Sequence, residues 1–194
     1  MANGRLIVIS APSGCGKTTI AHAMLAKHPD ILFSVSATTR PMRSGEVDGK
    51  DYFFLTRKEF EDRVRDGGLV EWEEIYGNYY GTLKVETDRA LRAGRVMLFD
   101  VDVKGALSIR KIFPDDSLLI FIAPPNFEVL KQRLENRKTE NPETLRRRLE
   151  RVPMELAEGE KFDFQVVNDD LQRAVEDVDA IIRPAIQKSI HQPS

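Results

Sequence analysis

The segment from Ala11 to Thr18, APSGCGKT, holds residue types that bind phosphate groups: two glycines, a lysine and two hydroxyl side chains. Glycines let successive backbone N–H groups face inward, and a helix beginning at Lys17 adds the positive end of its dipole. Lys17 would reach the β- and γ-phosphates of a nucleotide, and the Thr18 hydroxyl would bind Mg²⁺. The motif G-x-x-x-x-G-K-[ST] is met except at its first position, Ala11. We predict a phosphate loop, with a chance glycine-rich turn as the alternative.

Asp100 follows the apolar run Val96 to Phe99 and is a candidate for the metal side of such a site. A carboxylate at the carboxyl end of a parallel strand lies on the edge where open α/β sheets bind ligands. Asp102 is two residues further on, so both carboxylates project to the same side if the strand continues. The alternative is a helix N-cap or a solvated strand end.

A second group of polar residues suits another phosphate. Arg40 and Arg43 flank Pro41, and guanidinium groups bind phosphate oxygens in bidentate fashion. Phenols at Tyr52, Tyr79 and Tyr80 could add hydroxyl contacts, although a solvated basic turn explains the arginines equally well. Glu71 follows the apolar pair Leu69-Val70, and composition leaves open whether it is an edge-strand charge or an acceptor that recognises a base.

The elements that would position these residues have the pattern of a layered α/β fold. Four apolar runs are typical of strands buried on both faces: Leu6 to Ile9, Val96 to Phe99, Leu118 to Ile122 and Phe164 to Val167. Helical segments alternate with them: a helix that ends before Pro29, then Val103 to Lys111, Phe127 to Arg137 and Leu171 to Ile186. We expect a central parallel sheet in a three-layer fold.

Composition narrows the class of protein. The chain has 194 residues, with 41% hydrophobic and 31% charged residues, which is ordinary for one globular domain with small insertions. A net charge of −2 gives no strong positive field, so we expect neither nucleic acid nor a membrane as a partner. The single cysteine, Cys15, has no evident partner base and fits a reducing compartment. With no signal peptide or membrane span in the sequence, we expect a soluble cytoplasmic protein.

Five segments in order closely resemble the guanylate kinase family, from the first strand to near the C-terminus. They are Ser10 to Thr18, Ser36 to Glu46, Gly77 to Thr82, Asp100 to Asp102 and Val167 to Asp170. The resemblance implies a P-loop fold with an inserted mixed α+β lobe for the nucleoside monophosphate and a helical lid. It implies a core of residues 1–33, 96–123 and 152–194, a GMP-binding lobe of 34–95 and a lid of 124–151.

The resemblance also implies Mg²⁺-dependent transfer of the ATP γ-phosphoryl to GMP, with dGMP as a further acceptor. Residues implied to bind the ATP phosphates are Ser13, Gly14, Cys15, Gly16, Lys17, Thr18 and Thr19. Those implied to bind GMP are Ser36, Arg40, Arg43, Glu46, Tyr52, Glu71, Tyr80, Thr82 and Asp100. Thr18, Asp100 and Asp102 would bind the metal, directly or through water. A Glu71 carboxylate would accept from guanine N1–H and its 2-amino group, donors that adenine does not offer.

The basic stretch after residue 130 is similar to the family's lid. Arg133 and Arg137 stand four residues apart on one helical face, and with Lys17 and Arg148 they are the implied catalytic residues. Lys138 stands where the family usually has glycine. Without the resemblance, a run of arginines such as Arg146, Arg147 and Arg148 would be a solvated helix face.

The predicted reaction is direct in-line transfer, with no covalent intermediate on the enzyme. Two alternatives stay open at this point. One is a related kinase acting on another phosphorylated ribose compound, and the other is a binding module of the same fold that has lost catalysis. The sequence leaves the oligomeric state undetermined.

Overall fold

A computed structural model of the chain describes residues 4–75, 77–136 and 142–190. The strands are β1 (Arg5–Ser10), β2 (Leu32–Phe33), β3 (Ser36–Thr38), β4 (Phe53–Phe54), β5 (Leu69–Ile75), β6 (Asn78–Leu83), β7 (Val96–Asp100), β8 (Ser117–Ala123) and β9 (Phe164–Val167). The helices are α1 (Lys17–Lys27), α2 (Arg57–Arg65), α3 (Lys84–Arg92), α4 (Val103–Ile112), α5 (Phe127–Glu135), α6 (Pro142–Gly159) and α7 (Leu171–Ile190).

The central sheet is parallel, with the strand order β2-β7-β1-β8-β9. Alternate residues of β1 pack on opposite faces: Ile7 and Ile9 contribute to the apolar cluster that includes residues of α1 and α7, and Leu6 and Val8 to the cluster that includes α4. Since both faces are covered by helices, β1 and β7 are apolar except at one or both of their ends, and the sheet is the middle of three layers. The predicted three-layer α/β fold is confirmed.

A smaller mixed sheet has the strand order β4-β3-β6-β5. Its own apolar cluster is built around the buried ring of Phe60 on α2, with Ala37, Leu69 and Leu83. A capping box starts α2, because the Thr56 side chain accepts from the Glu59 N–H and the Glu59 carboxylate accepts from the Thr56 N–H. This sheet is the mixed α+β insertion expected from the sequence.

The four predicted strands and the predicted helices are present, with differences at the ends. Helix α5 ends at Glu135, whereas the predicted helix reaches Arg137, which lies outside the described residues. The two-residue strand β2 was not predicted, because a pair of apolar residues is too short to show a strand period. The predicted lid boundary after Arg151 falls inside α6, two residues before Pro153.

No helix within the described ranges is both long enough and apolar enough to cross a membrane.

Candidate functional site

The phosphate loop has the backbone geometry that its glycines predict. Gly14 and Gly16 have φ angles of 91° and 82°, in the left-handed region that favours glycine. Gly16 is the N-cap of α1, and no side chain caps this end of the helix. The N-terminal N–H groups of α1 therefore face the loop without a side-chain partner, which is the arrangement that binds anions. The Cys15 N–H donates to the Pro12 carbonyl at 3.2 Å.

The Cys15 side chain belongs to the core. It is fully buried in the cluster shared by β1, α1 and α7. Burial raises the pKa of the Cys15 thiol to about 12, so the thiol is protonated at neutral pH. Since the thiolate is the nucleophilic form, burial of Cys15 disfavours a nucleophilic role for it.

Lys17 and Asp100 meet at the carboxyl edge of the central sheet. Asp100 is the last residue of β7 and forms an ion pair with the Lys17 ammonium, which also donates to the Val101 carbonyl at 3.0 Å. Both side chains are largely buried, with 22% and 11% of their surface exposed. Strand, loop and helix thus place one cation and one anion together at the mouth of the phosphate loop.

Asp102 is placed differently from Asp100. The strand ends at Asp100, so the two carboxylates are not successive residues on one strand face. Asp102 is the N-cap of α4, and its Oδ1 accepts from the Gly105 N–H at 2.8 Å. The alternative interpretation from sequence, a helix N-cap, therefore describes Asp102. Its Oδ2 lies 3.5 Å from an Arg151 nitrogen.

The oxygen donors here fit a metal ion that arrives with a nucleotide. Thr18 is exposed at the start of α1, and Asp100 and Asp102 are partly exposed. No group of three or more histidine, cysteine, aspartate or glutamate side chains in the described ranges could hold a metal ion. Mg²⁺ in phosphoryl-transfer sites is bound through one or two carboxylates together with phosphates and water, so a hydroxyl and two carboxylates suit it.

Three of the residues predicted to bind GMP lie side by side on three adjacent strands. Ser36 of β3 is paired with Thr82 of β6, and Thr82 is paired with Glu71 of β5. The Thr82 hydroxyl donates to the Glu71 carboxylate at 2.7 Å. A shift of register between Leu69 and Glu71 precedes this contact, which is how a β-bulge redirects side chains.

Glu71 is held where the lobe meets the core. A Cβ atom placed on Gly105 of α4 would lie 3.3 Å from Glu71 Oε2 and 3.2 Å from Asp102 Oδ1, so the two carboxylates converge at the start of α4. Burial is the main cause that raises the pKa of Glu71, and the charges of Asp102 and Glu73 add to it. The hydrogen bond from Thr82 and the charge of Lys17 act in the opposite direction.

The residues predicted to hold the GMP phosphate form a second polar group. Arg40 makes a bidentate ion pair with Glu46, at 2.7 and 3.0 Å, and Glu46 also accepts from the Arg43 N–H at 2.7 Å. These contacts raise the pKa of Arg40 and lower the pKa of Glu46. The Arg40 guanidinium lies 5.2 Å from the Tyr52 ring centre, and the Tyr52 and Tyr80 rings are 6.1 Å apart. Arg40, Glu46, Tyr52 and Tyr80, which are separated in the sequence, thus lie close together. The Arg43 side chain is exposed.

The arginines of the predicted lid make different contacts. The Arg148 guanidinium donates to the Ser13 hydroxyl at 2.7 Å, which brings α6 to the phosphate loop. Arg146 and Arg147 are exposed and pair with Glu150 and Glu143 of the same helix. Arg137 and Lys138 lie outside the described residues.

Arg133 of α5 contacts main-chain atoms beyond β9. It donates to the Asn168 carbonyl at 2.8 Å and to the Asp169 carbonyl at 3.3 Å. Asn168 is buried, and its side-chain amide donates to the Cys15 carbonyl at 2.8 Å. Asn168 therefore joins the phosphate loop to the arginine of α5. The position of Asn168 at the carboxyl end of an apolar strand was the signal that could have singled it out.

A cavity of about 580 Å³ opens beside the phosphate loop. It lies between the phosphate loop, β5 and α6, and Ser13, Lys17, Glu73, Arg148 and Arg151 are among its lining residues. Glu73, Arg151 and Glu155 were not predicted from the sequence, since a charged residue on a strand edge or helix face has no local pattern that distinguishes it from a solvated one.

Comparisons with known proteins agree with this geometry. The family model described as guanylate kinase matches residues 3–185. A curated guanylate kinase of Chlorobium luteolum is 54% identical over 175 residues, which cover 90% of this chain and 89% of that protein. One of Salinibacter ruber is 50% identical over 184 residues, covering 94% and 97%.

A solved structure gives the same result. The crystal structure of guanylate kinase from Anaplasma phagocytophilum matches with a TM-score of 0.73 at 31% identity, covering 95% of this chain and 87% of that one. The family match, the curated relatives and the shared fold, together with the phosphate loop and the paired polar strands, show that the chain belongs to the guanylate kinase family.

Proposed function

We propose that this protein transfers the γ-phosphoryl group of ATP to GMP, giving ADP and GDP. The observation that carries the proposal is the closeness of two polar sites: Lys17 lines the cavity, and Glu71 converges with Asp102, which also lines it. The Lys17–Asp100 pair marks the phosphate loop, and Glu71 with its Thr82 hydrogen bond marks the site for a base. The curated relatives named guanylate kinase support the same reaction.

ATP is assigned to the core. The phosphate loop, Ser13 to Thr19, would bind the phosphates through backbone N–H groups, and Lys17 would contact the β- and γ-phosphates. The ammonium of Lys17 is already held at the carboxyl edge of the sheet by Asp100 and the Val101 carbonyl. A preorganised cation of this kind stabilises charge that develops during transfer without a cost of reorganisation.

GMP is assigned to the smaller sheet. Glu71 would accept from guanine N1–H and the 2-amino group, next to Thr82 and Ser36. Adenine would leave the carboxylate without donors in a partly desolvated site, a penalty that reaches ~10⁴-fold discrimination where a site is built for such a contact. Arg40 and Arg43, with the hydroxyls of Tyr52 and Tyr80, would hold the GMP phosphate, and Glu46 would orient Arg40 through the bidentate pair.

Mg²⁺ is assigned to the oxygen donors of Thr18, Asp100 and Asp102, directly or through water. When bound with ATP it supplies charge neutralisation at the phosphate oxygens. Asp102 keeps one oxygen on the Gly105 N–H, so its second oxygen is the one that would face a metal-bound water. Asp100 would lie between the metal and the GMP site.

The chain's own residues account for the remaining chemistry. A GMP phosphate oxygen is already an anion at neutral pH, so no general base is required for its in-line attack on the γ-phosphorus. Lys17, Arg133, Arg137 and Arg148 would offset the charge on the transferred group. Arg148 donates to the Ser13 hydroxyl and so reaches the phosphate loop. Closure of the lid, assigned to residues 124–151, over the core would exclude water that otherwise hydrolyses ATP.

A coupled assay for ADP release tests the proposal. Mg·ATP is offered with GMP, dGMP, AMP, CMP and UMP in parallel, with and without EDTA. We expect Mg²⁺-dependent activity with the two guanine nucleotides, and activity with the other three that is lower by orders of magnitude. Folded protein that binds ATP yet phosphorylates none of them would overturn the proposal and favour a binding module or another phosphorylated acceptor.

A further inference from the structure

Arg151 of α6 contacts carboxylates from three different parts of the molecule. Its Nη1 lies 3.8 Å from Glu73 of β5, its Nη2 lies 3.5 Å from Asp102 at the start of α4, and its Nε lies 3.6 Å from Glu155 of α6. Each of the three guanidinium nitrogens thus faces a different acid. One cation therefore joins the smaller sheet, the core and the helix that reaches the phosphate loop.

Three carboxylates, those of Glu73, Asp102 and Glu155, lie around the Arg151 guanidinium. Burial is the main cause that raises the pKa of Glu73 and of Glu155, the charge of Asp102 adds to both, and Arg151 acts against the rise. Lys104 also lowers the pKa of Glu73, and Lys17 that of Glu155. Removing the guanidinium would leave three carboxylates to repel one another, so its charge keeps these elements close.

The contacts are long enough to permit movement. All three distances exceed the usual length of a hydrogen bond, so the pairs act through charge and are not locked in one geometry. The side chains of Arg151 and Glu73 are about half exposed, at 45% and 43%. A contact of this kind strengthens or weakens smoothly as the two elements approach or separate.

The two ends of the Arg151–Glu73 pair lead to the two nucleotide sites. Glu73 is two residues from Glu71, so both side chains lie on one face of β5, and Glu73 is paired in register with Tyr80. Arg151 is three residues from Arg148, which contacts the Ser13 hydroxyl of the phosphate loop. Movement of β5 toward α6 therefore acts on the helix that holds Arg148 in place.

We infer that Arg151 is a positioning residue that couples the GMP site to the ATP site. GMP bound on the smaller sheet brings Glu73 toward Arg151, and the stronger pair favours the position of α6 in which Arg148 lies at the phosphate loop. ATP, by contacting the loop and α6, favours the same position and so raises the affinity for GMP. Coupling of this kind is reciprocal, so each nucleotide strengthens the binding of the other by the same factor. The inference rests on the proposed function.

The expected size of the coupling follows from the exposure of the pair. Half-exposed ion pairs are weak singly, and a pair within a network of charges contributes at the upper end of that range. We expect the Arg151–Glu73 contact to account for a factor of about three in the affinity of one nucleotide on binding the other.

Isothermal titration calorimetry of the full chain measures this factor directly. The Kd of GMP is determined with and without a saturating, non-hydrolysable Mg·ATP analogue, and the ratio of the two Kd values is the coupling factor. We expect Arg151→Gln to lower the coupling factor about threefold, while the Kd of GMP alone changes little. Arg151→Lys keeps the charge and should retain most of the coupling.

Two further variants separate the pair from a general effect of charge. Glu73→Gln should lower the coupling factor as Arg151→Gln does, and the double variant should lower it no further, because the two residues act through one contact. Arg146→Gln is the matched control, since Arg146 is exposed on the same helix and pairs with Glu150 of that helix. It should leave the coupling factor unchanged.

The outcomes distinguish this inference from the proposed function. Wild-type protein that binds both nucleotides without coupling, or with a coupling factor that Arg151→Gln leaves unchanged, overturns the role of Arg151 alone. A loss of affinity for each nucleotide alone, with the coupling factor intact, shows a local structural role and also overturns it. Wild-type protein that binds neither nucleotide overturns the proposed function together with this inference. If Arg151→Gln does not fold, Glu73→Gln and Arg151→Lys give the same test.

Discussion

The central sheet and the smaller sheet build their sites by different means. In the central sheet, β1 is buried along its length after Arg5, and its apolar packing places the phosphate loop at the end of the strand. In the smaller sheet, β3 and β4 have three and two residues, and the side chains assigned to GMP are held by polar contacts such as Arg40–Glu46 and Thr82–Glu71.

This difference predicts how each site responds to substitution. Packing fixes the backbone, so the ATP site depends on a few charged side chains set on a rigid frame. Polar contacts fix side chains, so the GMP site depends on the pairing of each group with its neighbour. Changes in one region should therefore alter one ligand and leave the other nearly intact.

The largest effect is expected for Lys17→Ala. Removing the ammonium from the mouth of the phosphate loop takes away charge that stabilises the transferred phosphoryl, and kcat should fall by about 10²- to 10³-fold. Steady-state ADP release measures the loss, with circular dichroism as the check on folding. Turnover within tenfold of wild type would remove Lys17 from the site.

Glu71→Gln should have the next largest effect. The amide accepts less strongly than the carboxylate and presents its own donors to guanine, so kcat/KM for GMP should fall by about 10- to 100-fold. The preference for GMP over AMP should fall by the same factor. Thr82→Val is the matched variant, since it removes the hydroxyl that donates to Glu71 and should give a smaller loss. Unchanged selectivity in Glu71→Gln would show that the base binds elsewhere.

Asp179, which joins α1 to α7, and Glu46, near the smaller sheet, both have lowered pKa values, so substituting each of them compares the two regions. Burial would raise the pKa of Asp179, but hydrogen bonds from His28, Arg183 and Lys27 outweigh it and hold the pKa at about 2. Asp179 is buried in the core, where it joins α1 to α7, so Asp179→Asn should cost about 2 kcal/mol of stability. Glu46→Gln should instead weaken GMP binding about tenfold with little change in Tm, because the Glu46 side chain is more exposed than that of Asp179, at 20% against 3%.

The sign of the Asp179 effect with pH follows from its lowered pKa. An unfolded aspartate titrates near pH ~3.9, so the contribution is complete above that pH and is lost as the pH falls toward 2. Thermal unfolding of wild type and Asp179→Asn between pH 3 and pH 7 measures it. A difference in Tm between wild type and Asp179→Asn that stays constant from pH 4 down to pH 3 would contradict the assignment.

The smallest effect is expected in the pH dependence of the affinity for GMP. Burial raises the pKa of Glu71, and only the ionised form accepts both guanine donors. The affinity for GMP should therefore fall with decreasing pH, by at most about tenfold per pH unit, starting at a higher pH than for an ordinary glutamate. Glu71→Gln removes this component and leaves the titration of the GMP phosphate. Identical pH profiles for the two proteins would show that Glu71 does not titrate in the complex.

The sequence was most informative where packing decides the structure. Runs such as Leu6 to Ile9 and Val96 to Phe99 predict strands buried on both faces, and the structure has them as β1 and β7. Two apolar residues, Leu32 and Phe33, form β2 only because β7 offers an edge for pairing, and that information is not local.

The sequence predicted which residues form the candidate site better than it predicted which groups those residues contact. The phosphate loop follows from local pattern, and the residues for GMP were identified through resemblance to the guanylate kinase family. The Asp102 N-cap and the contacts of Arg151 depend on where β7 ends and on how α6 lies over β5. The spacing of residues along the chain predicts neither the end of β7 nor the position of α6 over β5.

Nucleotide titrations of two variants test the central claim, that two separate regions bind the two substrates. The Kd of GMP and the Kd of a non-hydrolysable Mg·ATP analogue are measured singly for wild type, Lys17→Ala and Glu71→Gln. We expect Lys17→Ala to weaken binding of the ATP analogue while its Kd for GMP stays within about threefold of wild type, and Glu71→Gln to do the reverse. Comparable loss of both ligands in either variant would contradict it.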